Sequence, residues 1–347
     1  MIFDIIFNII FLAIGLILLI KGSAIFIDSG SAIARILKIN ELLFGLTFVS
    51  LSTSLPELLI GINSSLSGTH GITIGNIVGT NIFNMCVILA IVCIIKPVKF
   101  LRETVKKDIY MGLVAAIILL LVLLDMFGTN LTESVISRTD GIIMLIFFAI
   151  FMYYSLYNIT EEMHAKKLKK QEELLNKSKE EIDEEQKKNK RIRKKDIAII
   201  TRRSLLMILG LAMIFIGADF TVDSAKSLAT ALNFSEEFIA ILVIAIGTSL
   251  PEISTSIVAI RKGKGNIAIG NLIGSNIFNI LLILSVSSLI TPIILPQADL
   301  LIDIGLFIGI MIIIALCTSM KFELNRKEGF LLLSIYIGYL IYVISRM

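Results

Sequence analysis

Two acidic residues dominate the chemistry available to this chain. Glu57 closes the block Thr53-Ser-Leu-Pro-Glu57, and Glu252 closes the identical block Thr248-Ser-Leu-Pro-Glu252. Each sits near the middle of a long apolar run, where an ionised carboxylate in lipid costs at least about 2.5–3.5 kcal/mol. Two such anions brought together repel unless a proton or a cation sits between them. A polar stripe surrounds each one. Ser50, Thr53, Ser54 and Glu57 are spaced i, i+3, i+4, i+7 on one helix face, and Ala245, Thr248, Ser249 and Glu252 repeat that spacing. Pro56 and Pro251 lie in the same runs. Each removes a backbone N–H and clashes with the carbonyl four residues back, which opens the helix near Ser52–Thr53 and Gly247–Thr248. In lipid the released carbonyls need a new partner. Carboxylates, hydroxyls and carbonyls are hard oxygen ligands of the kind that suit Ca²⁺ or Na⁺.

A second pair of segments adds donors. Asn76, Thr80 and Asn84 fall at i, i+4, i+8, as do Asn271, Ser275 and Asn279. Thr80, Ser275, Asn84 and Asn279 lie deeper in their runs and are the better ligand candidates. Asn76, Asn81, Asn271 and Asn276 divide evenly between interhelical hydrogen bonding and ion contact. Gly75 and Gly79, like Gly270 and Gly274, form small-xxx-small faces that admit close helix approach. Asp28 and Asp223 stand near the ends of apolar runs and suit a structural or gating role.

The elements that must position these residues are membrane spans. Hydrophobic residues make up 56% of the 347, and 17% are charged against roughly 25% in soluble domains. Residues 161–203 hold 15 Lys/Arg and 10 Asp/Glu, which leaves the rest very apolar. This composition argues against a soluble enzyme, a nucleic-acid binder and a secreted disulfide protein. A bilayer core needs about 20 apolar residues per helix. Ten runs qualify: 5–27, 42–66, 72–95, 108–127, 140–157, 204–222, 236–260, 266–290, 300–318 and 329–345. With this count, 28 of the 32 basic residues fall in loops on one side and three on the other. The positive-inside rule then puts the odd-numbered loops in the cytoplasm and both termini outside the cell membrane.

The halves match at a constant offset of 195 from about residue 15 to residue 84. Ile74-Gly-Asn-Ile-Val-Gly-Thr-Asn-Ile-Phe-Asn84 stands against Ile269-Gly-Asn-Leu-Ile-Gly-Ser-Asn-Ile-Phe-Asn279, with eight of eleven positions identical. Five spans per half is an odd number, so the second half enters the membrane from the opposite face. The expected fold is therefore an all-α integral membrane protein of ten transmembrane helices. They form two inverted five-helix repeats, 1–157 and 204–347, with broken helices 2 and 7. A charged cytoplasmic linker, 158–203, joins them as a solvated helix or helical hairpin. Inverted repeats are a transporter architecture with the substrate site near mid-membrane.

Cys86, Cys93 and Cys317 lie in apolar runs without redox or zinc spacing, and His70 and His164 are the only histidines. The chain offers no HExxH and no histidine within a span, which argues against an intramembrane protease. No cofactor and no enzymatic activity are expected.

With Ser52-Thr-Ser-Leu-Pro-Glu57 and Gly75-Asn-Ile-Val-Gly-Thr-Asn81, and their counterparts Gly247-Thr-Ser-Leu-Pro-Glu252 and Gly270-Asn-Leu-Ile-Gly-Ser-Asn276, the chain resembles the sodium/calcium exchanger family, of prokaryotic type. The resemblance implies an antiporter in the lipid bilayer that exchanges sodium for calcium and exports calcium, and a monomer is the expected form. By that likeness Glu57 and Glu252, with the carbonyls of Thr53 and Thr248, would hold calcium. Sodium would share the glutamates and add Ser50, Ser54 and Thr80 on one side, and Ala245, Ser249 and Ser275 on the other. Asn84 and Asn279 would border the middle site. The first and sixth helices would slide across a fixed core. Many relatives carry an aspartate at the place of Asn279, and Ser52 replaces the glycine of Gly247. The nearest alternative is a proton/calcium or potassium-dependent sodium/calcium exchanger. Gly79 and Gly274, where the proton-coupled branch usually has a glutamate, rank it second.

Overall fold

A computed structural model describes residues 2–68, 70–99, 108–124, 135–175, 179–231, 247–294 and 297–345. The described chain is almost wholly helical, as unbroken apolar runs in lipid demand. α1 spans Ile2–Leu37, ten residues beyond the apolar run at its C-terminal end. The second run is bent by 45° between Glu41–Thr53 and Leu55–Leu66. Its first arm comprises α2 (Glu41–Phe44), a π-helical turn (Gly45–Val49) and α3 (Ser50–Thr53), and its second arm is α4 (Leu55–Leu66). α5 (His70–Phe83), a π turn (Asn84–Ile88) and α6 (Leu89–Ile95) form the third run. α7 (Tyr110–Leu123) and α8 (Arg138–Leu175) follow. α9 runs Lys179–Ala231, so the described parts of the charged linker, 158–175 and 179–203, are helical and continue α8 and α9.

The second half repeats the first. α10 (Leu250–Arg261), α11 (Gly265–Phe278), a π turn (Asn279–Ile283) and α12 (Leu284–Ile290) each start and end 195 residues after α4, α5, the earlier π turn and α6. α13 (Gln297–Lys321) and α14 (Arg326–Ser345) complete it. Nine of the ten expected runs thus contain a described helix over most of their length. Of the tenth, 236–260, residues 236–246 lie outside the described residues.

Burial sorts the helices. The apolar stretches of Thr73–Ile95 and Gly265–Ile290 are 78% and 94% buried, against 17% for Ile5–Leu37 and 11% for Arg326–Ser345. The former pair is the centre of the bundle, and the latter present Phe7, Ile17, Ile341 and Ile344 outward. The main core joins Ile77, Met85, Leu119, Ile277, Leu281 and Phe307. A smaller core, including Leu19, Phe26, Ile214 and Ala268, lies beneath α1 and α9.

α1 and α9 are pressed together through glycines. A Cβ on Gly15 would lie 2.8 Å from the Gly217 carbonyl, and one on Gly22 would lie 2.8 Å from the Gly210 carbonyl. Gly15 and Gly210, and Gly22 and Gly217, are repeat mates. Two short antiparallel pairings tie the loops. β1 (Val98–Lys99) pairs with β4 (Glu323–Leu324), and β2 (Val135–Ile136) pairs with β3 (Ile293–Ile294).

Candidate cation site

The proline blocks make the two breaks. Ser54 has φ −85° and ψ 10°, and its mate Ser249 has φ −86° and ψ 0°. The ladder resumes where Leu58 N–H donates to the Ser54 carbonyl at 3.1 Å and Ile253 N–H to the Ser249 carbonyl at 2.9 Å. Because Pro56 and Pro251 have no N–H, the Ser52 and Gly247 carbonyls lack their helical donor. Directly after each break stands a glutamate on the first turn of the new helix.

Glu57 and Glu252 are 1% and 0% exposed, and each carboxylate feels its surroundings across the halves. The Glu252 charge acts on Glu57, and Thr53, Ser54 and Ser275 surround the Glu252 carboxylate. Thus two segments 195 residues apart in sequence meet at one place. None of the four carboxylate oxygens has a hydrogen-bond partner, and neither do the hydroxyls of Ser54, Thr80 and Ser275 or the Oδ1 atoms of Asn84 and Asn279. A buried polar atom without a partner costs about 1–3 kcal/mol. Nine such oxygens, four of them on carboxyl groups, are of the kind that suits hard cations, and those brought together here belong to Glu57, Glu252, Ser54 and Ser275. Among the described residues no three His, Cys, Asp or Glu side chains converge. The donor set is therefore two carboxylates and neutral oxygens.

The remaining candidates have partners. Ser50 is fully buried and donates to the carbonyls of Leu46 at 2.6 Å and Thr47 at 3.3 Å, which leaves its own oxygen lone pairs. Ser249 is also fully buried. Thr53 Oγ1 donates to Asn271 Oδ1 at 3.0 Å, and its mate Thr248 donates to Asn76 Oδ1 at 3.4 Å. These hydroxyls, like that of Ser50, keep their oxygen lone pairs, and each threonine also has its backbone carbonyl to offer a cation. Ala245 lies outside the described residues.

The asparagines take the hydrogen-bonding role. Asn84 Nδ2 donates to Asn276 Oδ1 at 3.2 Å, and Asn279 Nδ2 donates to Asn81 Oδ1 at 2.9 Å. These amides lock the centre of the bundle across the halves and leave the Asn84 and Asn279 carbonyl oxygens free. Asn271 also donates to Thr255 and Ser256, at 3.2 and 3.3 Å. Sequence reasoning missed Thr255 and Ser256. Their repeat mates are Ile60 and Gly61, so the doubled pattern carried no sign of them. Gly270 and Gly274 do form a contact face, where a Cβ would lie 2.4 Å from the Leu42 and Leu46 carbonyls.

Known proteins resemble this chain in sequence and fold. The family model described as "Sodium/calcium exchanger protein" matches residues 7–157 and 204–345. The chain is 33% identical to the sodium/calcium exchanger MaX1 of Methanosarcina acetivorans, over 96% of this chain and 97% of that one. It is 29% identical to the putative antiporter CaxA of Alkalimonas amylolytica, over 95% and 96%. Among solved structures it resembles the sodium-calcium exchanger NCX_Mj soaked with 10 mM Na⁺ and zero Ca²⁺. The TM-score is 0.78 at 28% identity, covering 97% of this chain and 99% of that one.

Proposed function

Because the chain belongs to the sodium/calcium exchanger family, a family of transporters and not enzymes, we propose that it trades sodium for calcium across the cell membrane by alternating access and exports calcium. The observation that carries this reading is the meeting of two fully buried carboxyl groups from the two halves, with Thr53, Ser54 and Ser275 beside Glu252 and no hydrogen-bond partner on any of the four carboxyl oxygens. Glu57 and Glu252 with the Thr53 and Thr248 carbonyls hold calcium. Sodium uses the same glutamates with Ser50, Ser54 and Thr80, and with Ala245, Ser249 and Ser275. The Oδ1 atoms of Asn84 and Asn279 border the middle site.

The chemistry follows from charge. Two carboxylates give the site about −2, which one Ca²⁺ or two or more Na⁺ can offset. An empty ionised site is costly in the membrane, so loaded forms cross more readily and exchange prevails over leak. The architecture that serves this is ten spans in two inverted repeats, 1–157 and 204–347, working as a monomer. Both termini lie outside and 158–203 lies in the cytoplasm. The matching helix bounds and the mirrored Thr–Asn and Asn–Asn bonds support the repeat.

The test is sodium-driven ⁴⁵Ca²⁺ uptake into vesicles reconstituted with the purified protein. Uptake that follows an imposed sodium gradient supports the proposal. Uptake that follows a pH gradient instead moves it to a proton/calcium exchanger, a strict potassium requirement moves it to a potassium-dependent one, and uptake without any counter-ion overturns antiport.

A further inference from the structure

The repeat supplies an internal control for the two seams that flank the site. At one seam α1 meets α10, and at the other α9 faces α4. The turns that follow α10 and α4 share one backbone, with Gly263 at φ +74° and its mate Gly68 at φ +71°. The side chains on the two seams differ.

The α1–α10 seam is closed by polar contacts. Ser23 Oγ donates to Ser254 Oγ at 2.9 Å. Lys264 Nζ donates to Asp28 Oδ1 at 2.9 Å, and Lys262 Nζ pairs with Asp28 Oδ2. Lys262 also reaches the Ala24 carbonyl at 3.4 Å, and Lys264 reaches the Ile27 carbonyl at 3.5 Å. Asp28 on α1 is thus clasped by both lysines of the turn after α10.

On the α9–α4 seam the equivalents cannot do this. Asp223 stands in for Asp28, but Ser67 and Thr69 replace the lysines, and Ala218 and Leu59 replace the two serines. A cavity of about 440 Å³ opens there, lined by Leu59, Asp219, Val222, Asp223, Thr248 and both prolines among others. It reaches the two helix breaks, and Thr248 belongs to the candidate site.

We propose that Asp28, Lys262 and Lys264 form a latch that keeps the cytoplasmic seam shut, so that the resting transporter faces outward. This inference rests on the alternating-access reading above. Among the described residues the outer seam has no matching ion pairs, and Ser67 and Thr69 stand where the lysines would be, so the two orientations are unequal in energy. The consequence for transport is one-sided. Ions outside find an open path, while ions inside must first part an aspartate from two ammonium groups.

The experiment uses the full-length protein in vesicles, with Cys86, Cys93 and Cys317 replaced by alanine and a single reporter cysteine. Val222→Cys reports the outer cavity and Ala24→Cys the inner seam, each by its reaction rate with a membrane-impermeant maleimide on its own side. In Asp28→Asn, or in the double variant Lys262→Met with Lys264→Met, the outer rate falls and the inner rate rises by roughly two- to tenfold, the shift that two half-exposed ion pairs support. The charge-reversed triple Asp28→Lys, Lys262→Asp, Lys264→Asp restores the original rates. Unchanged rates in the neutralised variants overturn the latch, and so does a shift that charge reversal fails to repair. The labelling needs no ion flux. A latch that responds in a protein without sodium-driven calcium uptake leaves the latch standing and removes the proposed exchange instead.

Discussion

Asn279 hands an amide hydrogen to Asn81 at 2.9 Å, a bond that joins residues 198 positions apart at the middle of the bundle. Asn81 keeps its own Nδ2 unused. Asn279→Asp would therefore be met by rotation of the Asn81 amide, which turns that spare donor toward the new carboxylate. The expected outcome is a folded protein with tighter calcium binding by titration calorimetry. Combining Asn279→Asp with Asn81→Leu removes that donor and lowers stability by about 1–3 kcal/mol in thermal unfolding.

Glu57→Gln and Glu252→Gln each reduce sodium-driven ⁴⁵Ca²⁺ uptake to background. A ligand present at about 100 times its dissociation constant stabilises the native state by about 2.7 kcal/mol. Calcium raises the melting temperature of the wild type accordingly and leaves that of the double variant unmoved. Wild-type uptake in either single variant refutes the paired-glutamate site.

The Thr–Asn bonds of the two halves differ in length, 3.0 Å for Thr53 and 3.4 Å for Thr248. Thr53→Val strands the Asn271 carbonyl and costs about 0.5–1.5 kcal/mol, and Thr248→Val costs less. Thermal unfolding of both variants side by side checks the order.

Gly22→Val forces α1 from α9, because its side chain meets the Gly210 carbonyl at 2.8 Å. Overpacking of this kind costs about 1–3 kcal/mol. Gly309→Ala on α13, where a Cβ meets nothing within 4 Å, is the control and keeps the melting temperature or raises it slightly.

Much of this molecule was legible in its sequence, for identifiable reasons. Long apolar runs leave helices as the only spanning option, so their placement follows from hydropathy. Pro56 and Pro251 mark the breaks because proline acts on the backbone locally. The doubled Glu57 and Glu252 blocks announced a shared centre, since a repeat brings mates to equivalent places. Contacts without a mate stayed hidden. Lys262 and Lys264 reach Asp28 across more than 230 positions, and Thr255 and Ser256 meet Asn271 without any counterpart in the first half. The asparagines stayed ambiguous because one amide can serve a helix or an ion, and only geometry separates the two uses.

The two β pairings have a mechanical meaning. One cross-links the stretch after α6 to the stretch before α14, and the other links the stretch before α8 to the stretch after α12. A frame riveted through four of its connections behaves as a stator. Among the described residues the glycine-packed α1–α9 pair carries none of these rivets, so the proposed alternating access would use it as the piston, by shear against that frame.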